Sequence, residues 1–102
     1  MAYYTAEVIR SFSDSKTRRL FEDDRRRGFR GLDYDRALML LDAIDAASSL
    51  EPLSALKAVR LHSLKGDRRG RLAMTVNQRW RITFKFREGE AYDVAIEDYH
   101  RG

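Results

Sequence analysis

Two histidines, at positions 62 and 100, are the only imidazoles in 102 residues, and the second sits in the closing run "IEDYHRG" behind Asp98 and Tyr99. Imidazole titrates close to neutral pH, so it can take or give a proton under working conditions. Terminal residues fray unless something ties them down; Asp98, Tyr99 and His100 can work only if a last strand carries them. A second set of candidates lies upstream in "RWRITFKFRE", where Arg79, Arg81, Lys85 and Arg87 fall on alternate positions with Thr83. Two-residue steps along a strand put them about 6.6 to 7 Å apart, a spacing that matches successive phosphates of a single nucleic-acid strand. Lys65, Arg68, Arg69 and Arg71 cluster in "KGDRRGR" just before.

Two histidines, a tyrosine, an aspartate and several arginines around one surface suit RNA cleavage without a metal. A base takes the proton of a ribose 2′-OH, the freed oxygen attacks the neighbouring phosphate, an acid protonates the departing 5′-oxygen, and cations stabilise the added charge. DNA has no 2′-OH, so such chemistry is specific to RNA. Convergence of His62 and His100 requires that the strand around "VRLHSL" share a sheet with the last strand. A zinc site from His62, Glu97, Asp98 and His100 has suitable ligand types but no compact ligand spacing. The cation ladder can equally be an ordinary solvated sheet face, and Tyr99 an aromatic closing the edge of the core.

Composition narrows these options. There is no cysteine, which excludes disulfides, thiolate nucleophiles and cysteine-ligated zinc, and no serine-nucleophile motif is present. With 43% hydrophobic and 35% charged residues, the chain is too apolar for disorder and too charged for a membrane protein. There is no apolar run of membrane-spanning length, and "MAYYTAEVIRSFSD" lacks the order of a signal peptide, so the expected location is the cytoplasm. The net charge is +4, and sixteen of the twenty basic residues are Arg, whose guanidinium fork matches phosphate. A pI near 9.7 is in the range of nucleic-acid-binding domains.

The elements that must position these residues follow from periodicity. Residues 1–102 are expected to form one domain. "AEVIRSF", Ala6 to Phe12, reads as a short first strand through its β-branched Val8 and Ile9. Helix one starts at Ser13 or Asp14 and runs to Gly28 as its stop, packing through Leu20 and Phe21. Acid-first i,i+4 pairs Glu22 with Arg26 and Asp23 with Arg27 support it. Helix two is capped by Asp33 or Asp35 and buries Ala37, Leu40, Leu41, Ile44 and Ala47 or Ser48. "SSLEPLSALKA", with the only proline, reads as a turn or short helical piece.

From Ala58 the period changes to two. Strands are expected in "VRLHSLKG", "LAMTV", "RWRITFKFRE" and "AYDVAIE", with a tight turn at Asn77–Gln78. The core face takes Trp80, Ile82, Phe84 and Phe86 from the long strand and Tyr92, Val94 and Ile96 from the last. The fold class is α+β: an N-terminal strand, a two-helix hairpin, then a twisted antiparallel sheet of three to four strands.

The stretch from Leu61 to His100 closely resembles the HigB branch of the RelE/ParE superfamily of bacterial toxin–antitoxin systems, through "LKGDR", "VNQRWRI", "AYDV" and the terminal "DYH"; "VIRSF" near the start is also typical of that branch. The resemblance covers nearly the full chain. It implies a RelE-like fold and a ribosome-dependent mRNA endonuclease that cuts message in the A site and needs no cofactor. It further implies a HigA-type helix-turn-helix antitoxin as partner, with operator DNA bound only through the toxin–antitoxin complex. Residue by residue, it implies catalytic roles for His62, Asp98, Tyr99 and His100. His62 and His100 would transfer protons, Asp98 would orient or tune one of them, and Tyr99 would position base or ribose. Arg81 would stabilise the scissile phosphate, with Arg79 second, and Lys65, Arg68, Arg69, Arg71 and Lys85 would hold message or ribosomal RNA. Two alternatives belong to other classes: a non-catalytic growth inhibitor of the ParE type, acting on DNA gyrase, and a basic nucleic-acid-binding module.

Overall fold

The computed structural model of the chain describes residues 7–99; Ala6 and His100 lie outside them. Helix α1 (Ser15–Asp23) begins where the Asp14 carboxylate accepts from the Thr17 amide at 2.7 Å, an N-cap that occupies one of the free donors of the first turn. It stops earlier than the glycine at 28 suggests. Asp24 adopts the left-handed conformation at φ 51° and its amide bonds to the Leu20 carbonyl, so an aspartate performs the closure expected of glycine. Arg26 and Arg27 therefore lie beyond the helix, no longer one turn above Glu22 and Asp23; Arg26 pairs instead with Asp24 and Asp35.

Helix α2 (Tyr34–Ala46) is capped by Asp33 and buries Ala37, Leu40, Leu41 and Ile44, as its three-to-four spacing dictates. A single turn, α3 (Glu51–Ser54), carries Pro52 in its first turn, where the missing amide proton is not needed.

Four antiparallel strands follow in sequence order: β1 (His62–Ser63), β2 (Leu72–Asn77), β3 (Trp80–Arg87) and β4 (Glu90–Asp98). The architecture is α+β, with the helices packed on one face of the sheet. Leu20, Leu40, Leu41, Ile44, Met74, Ile82, Phe84 and Val94 are fully buried between them. The β3–β4 hairpin turns through Glu88 and Gly89, both at positive φ, the conformation that matches the twist of a two-residue loop.

Three sequence-based expectations change. The segment from Val8 to Ser13 runs parallel to β4 but touches it through isolated bridges at Ile9–Ala91 and Phe12–Val94 rather than as a strand. The cause is a bulge in β4: two residues, Asp93 and Val94, stand against Phe84 alone, and Asp93 takes φ 53°. Its amide turns to the Ser11 hydroxyl instead of a ladder partner. The same bulge reverses the facing of the residues before it, so Ala91 rather than Tyr92 enters the core, and Tyr92 lies beside Glu90 and Arg87. Finally, the β2–β3 turn falls on Gln78 and Arg79, one residue later than expected, which removes Arg79 from the strand.

Candidate active site

Paired residues in an antiparallel ladder project to the same side, and residues two apart along a strand do so as well. His62 pairs with Ala73, Ala73 with Thr83, and Thr83 with Ala95; two residues along, Thr75 pairs with Arg81 and Arg81 with Glu97. His62, Thr75, Arg81, Thr83 and Glu97 therefore share the face away from the helices. Tyr99 follows on that face, with its hydroxyl 2.5 Å from Thr75 Oγ1 and its ring beneath the Arg81 guanidinium at 5.3 Å. His62 and Tyr99, with Arg60, Leu61 and Thr75, line a shallow depression of about 460 Å³.

The alternative of an ordinary solvated face does not hold at the centre of this ladder. Arg81 is 9% exposed and Thr83 fully buried, because the turn after β1 folds over the middle of the sheet. Arg71 reaches from that turn to Thr83 Oγ1 (2.8 Å) and the Asp93 carbonyl (2.7 Å), and Arg68 to Glu97 Oε2 (2.6 Å). Glu97 also accepts from the Thr83 hydroxyl at 2.6 Å and lies 3.7 Å from Arg81. Burial pushes the Glu97 carboxyl up, but the hydrogen bonds from Arg68 and Thr83 and the charges of Arg68 and Arg71 outweigh it, leaving its pKa below the usual carboxylate value. Burial lowers the Arg71 pKa, aided by the charge of Arg68 and opposed by Glu97 and Asp93. Lys65 and Arg69 stand exposed on the turn, and Lys85 lies 3.7 Å from Asp93 at the far end of β3.

His62 is exposed, and its Nδ1 lies 2.7 Å from the Arg60 carbonyl. A carbonyl oxygen only accepts, so Nδ1 carries a proton, and Nε2 is the ring nitrogen not engaged in that bond. Arg60 itself is at φ 52°, a left-handed position that costs a non-glycine residue free energy and turns its carbonyl toward the ring.

Asp98 goes the other way. It pairs with Trp80 on the helix-side face, is buried, and takes both Nε (3.0 Å) and Nη2 (2.5 Å) of Arg79. With Lys16, Phe29, Arg30 and Trp80 it lines a separate depression of about 540 Å³, whose rim includes Arg68 and Glu97. The structure thus brings His62, Tyr99, Arg81, Arg68 and Arg71 to one face and leaves Asp98 and Arg79 at its edge. Of the candidate zinc ligands, His62 and Glu97 lie on one side of the sheet and Asp98 on the other, and among the described residues no three His, Asp or Glu side chains are gathered to hold a metal ion. None of the described helices is long and apolar enough to cross a membrane.

Sequence reasoning passed over Thr75 and Thr83 and gave Glu97 no role in binding the cations. Counting outward from the "EG" turn sets Ile96 against Arg81, and only the extra residue of the β4 bulge brings Glu97 there; the Thr75–Tyr99 contact spans two strands and has no local signature.

A family model described as the RelE-like toxin of the type II toxin–antitoxin system HigB matches residues 10–100. The chain belongs to the HigB-like toxin family. It is also 42% identical over 93 residues, which is 91% of this chain and all of the relative, to a protein of Proteus vulgaris named Endoribonuclease HigB. The toxin's α+β architecture is accordingly RelE-like, and as a type II toxin it has an antitoxin partner. The face that carries His62, Arg81 and Tyr99 falls within the matched span.

Proposed function

We propose that this toxin is an endoribonuclease that cuts translated message by metal-independent attack of a ribose 2′-OH on the adjacent phosphate. The observation that carries the reading is the meeting on one sheet face of an exposed imidazole, a tyrosine and a cluster of half-buried arginines around the buried Arg81. The 42% identical relative, named an endoribonuclease, supports it. In this scheme His62 Nε2 takes the 2′-proton. The 2′-oxygen then bonds to phosphorus, the bond to the 5′-oxygen breaks, and His100 gives that oxygen its proton, leaving a 2′,3′-cyclic phosphate. Arg81 balances the charge added at phosphorus, with Arg68 and Arg71 beside it. Tyr99, held by Thr75 and stacked on Arg81, positions base or ribose. Asp98 acts from the edge: clamped by Arg79, it holds the end of β4 so that Tyr99 keeps its place. Lys65, Arg69, Lys85 and Arg79 grip message or ribosomal RNA.

The toxin works in the cytoplasm on ribosome-bound message, and a HigA-type helix-turn-helix antitoxin neutralises it, the complex binding operator DNA. Mapping 5′ ends on message in a reconstituted translation system tests this. Cuts within codons are expected with toxin and ribosomes together and not with added antitoxin. Absence of such cuts, or their persistence without ribosomes, overturns the reading.

A further inference from the structure

The polar face has an imbalance of charge. Three guanidinium groups, those of Arg68, Arg71 and Arg81, gather around one carboxylate, that of Glu97, while the charge of Asp93 also acts on Arg71. The Nε donors of both Arg71 and Arg81 are buried without a hydrogen-bond partner. Buried guanidinium donors are rarely left unmatched, since each carries a desolvation cost. These side chains are therefore held in place by something other than their own full set of bonds. Glu97 is that anchor: one oxygen takes Arg68 and the Thr83 hydroxyl, the other faces Arg81, and Thr83 in turn accepts from Arg71. One carboxylate thus reaches all three cations, directly or through one hydroxyl.

We infer that Glu97 is a positioning residue for phosphate: it holds the side chains of Arg81, Arg68 and Arg71 in a fixed receptor that keeps a net positive charge, which a phosphate of the RNA completes. This rests on the reading of the face as the RNA-cleaving surface. A guanidinium fork left free would sample many orientations, and ordering it at the moment of reaction would raise the barrier. A carboxylate is suited to the task because it orders cations without cancelling them, one charge against three. Its removal raises the net charge of the face, so affinity for RNA should hold or rise while turnover falls; loss of an ordinary substrate contact would do the reverse.

Glu97→Gln tests this, because it keeps the shape and removes the charge. Cleavage of message at saturating ribosomes is expected to fall about tenfold, with the half-saturating concentration unchanged or lower. In an Arg81→Lys background the same change should cost less than about twofold, since a pair that acts as a unit does not lose its effect twice. In nitrogen–proton spectra, the Arg81 Nε–H resonance should be distinct and slowly exchanging in the wild-type protein and averaged in Glu97→Gln. Cleavage at the wild-type rate, an equal loss in both backgrounds, or an unaltered Arg81 resonance overturns the inference. Should Glu97→Gln unfold, Thr83→Val removes the hydroxyl link and should give a smaller loss in the same direction; wild-type turnover there overturns it equally. A wild-type protein that cuts no message overturns the proposed function, and the resonance then decides the role of Glu97 by itself.

Discussion

Strand β3 contributes alternate residues to two unlike surfaces. On the helix side Trp80, Ile82 and Phe84 enter an apolar core with Leu40, Leu41 and Ile44; on the other side Arg81 and Thr83 join a polar cluster with Glu97, Arg68 and Arg71. The first set is buried and the second is buried at Arg81 and Thr83 and half-buried around them, and the physics differs. Each large apolar side chain removed from water contributes roughly 1.5–3 kcal/mol, without directional demands. The polar cluster contributes far less net free energy, since desolvating its charges offsets most of their attraction, but it is highly directional. Stability therefore resides mainly on one face, the chemistry of the proposed scheme belongs to the other, and the pleat of a single strand joins them.

The sharpest test of that division is His62→Gln. The ring is exposed and belongs to no core contact, so cleavage should fall about 10²- to 10⁴-fold with an unchanged melting temperature. A matching fall in melting temperature would break the comparison. Ile82→Ala, one residue beyond Arg81 but on the other face, should do the opposite. It should destabilise the protein by about 2–5 kcal/mol in a denaturant titration, while cleavage per folded molecule stays within a few-fold of wild type. Asp98→Asn lies between these two: it weakens a charge-assisted pair to Arg79 and should cost about 1–2 kcal/mol, with a loss of cleavage smaller than that of His62→Gln.

The smallest effect concerns pH. The folded-state pKa of Glu97 is depressed, so the stabilisation it supplies is fully present above the unfolded carboxylate value of about 4.3 and is lost as pH falls through the folded value. The wild-type protein should melt above Glu97→Gln at neutral pH, and that advantage should shrink as the pH falls through the folded value. Parallel melting curves across the acid range would remove Glu97 from the account of this face.

Much of this layout was legible in order of residues alone. Helix α2 follows its apolar spacing and its Asp33 cap, and the alternation in "RWRITFKFRE" correctly divides Ile82 and Phe84 from Arg81 and Thr83. The errors share a cause. Helix α1 ended at Asp24 instead of Gly28, and Tyr92 left the core, because non-glycine residues took left-handed conformations that no propensity favours and that tertiary contacts enforce. Alternation also cannot say which of two faces is covered. The solvated reading of Arg81 failed because the turn carrying Arg68 and Arg71 folds back over it.

The sequence by itself determined the α+β class, the apolar face and the residue types able to move protons and hold phosphate, since these depend on period and chemistry within a few residues of one another. Only the tertiary structure decided which of them meet. It set His62 beside Tyr99, turned Asp98 to the opposite side, and placed Glu97 at the centre of three arginines. Those outcomes depend on strand register, on one extra residue in β4 and on the path of a turn, and each is fixed by contacts between parts of the chain far apart in sequence.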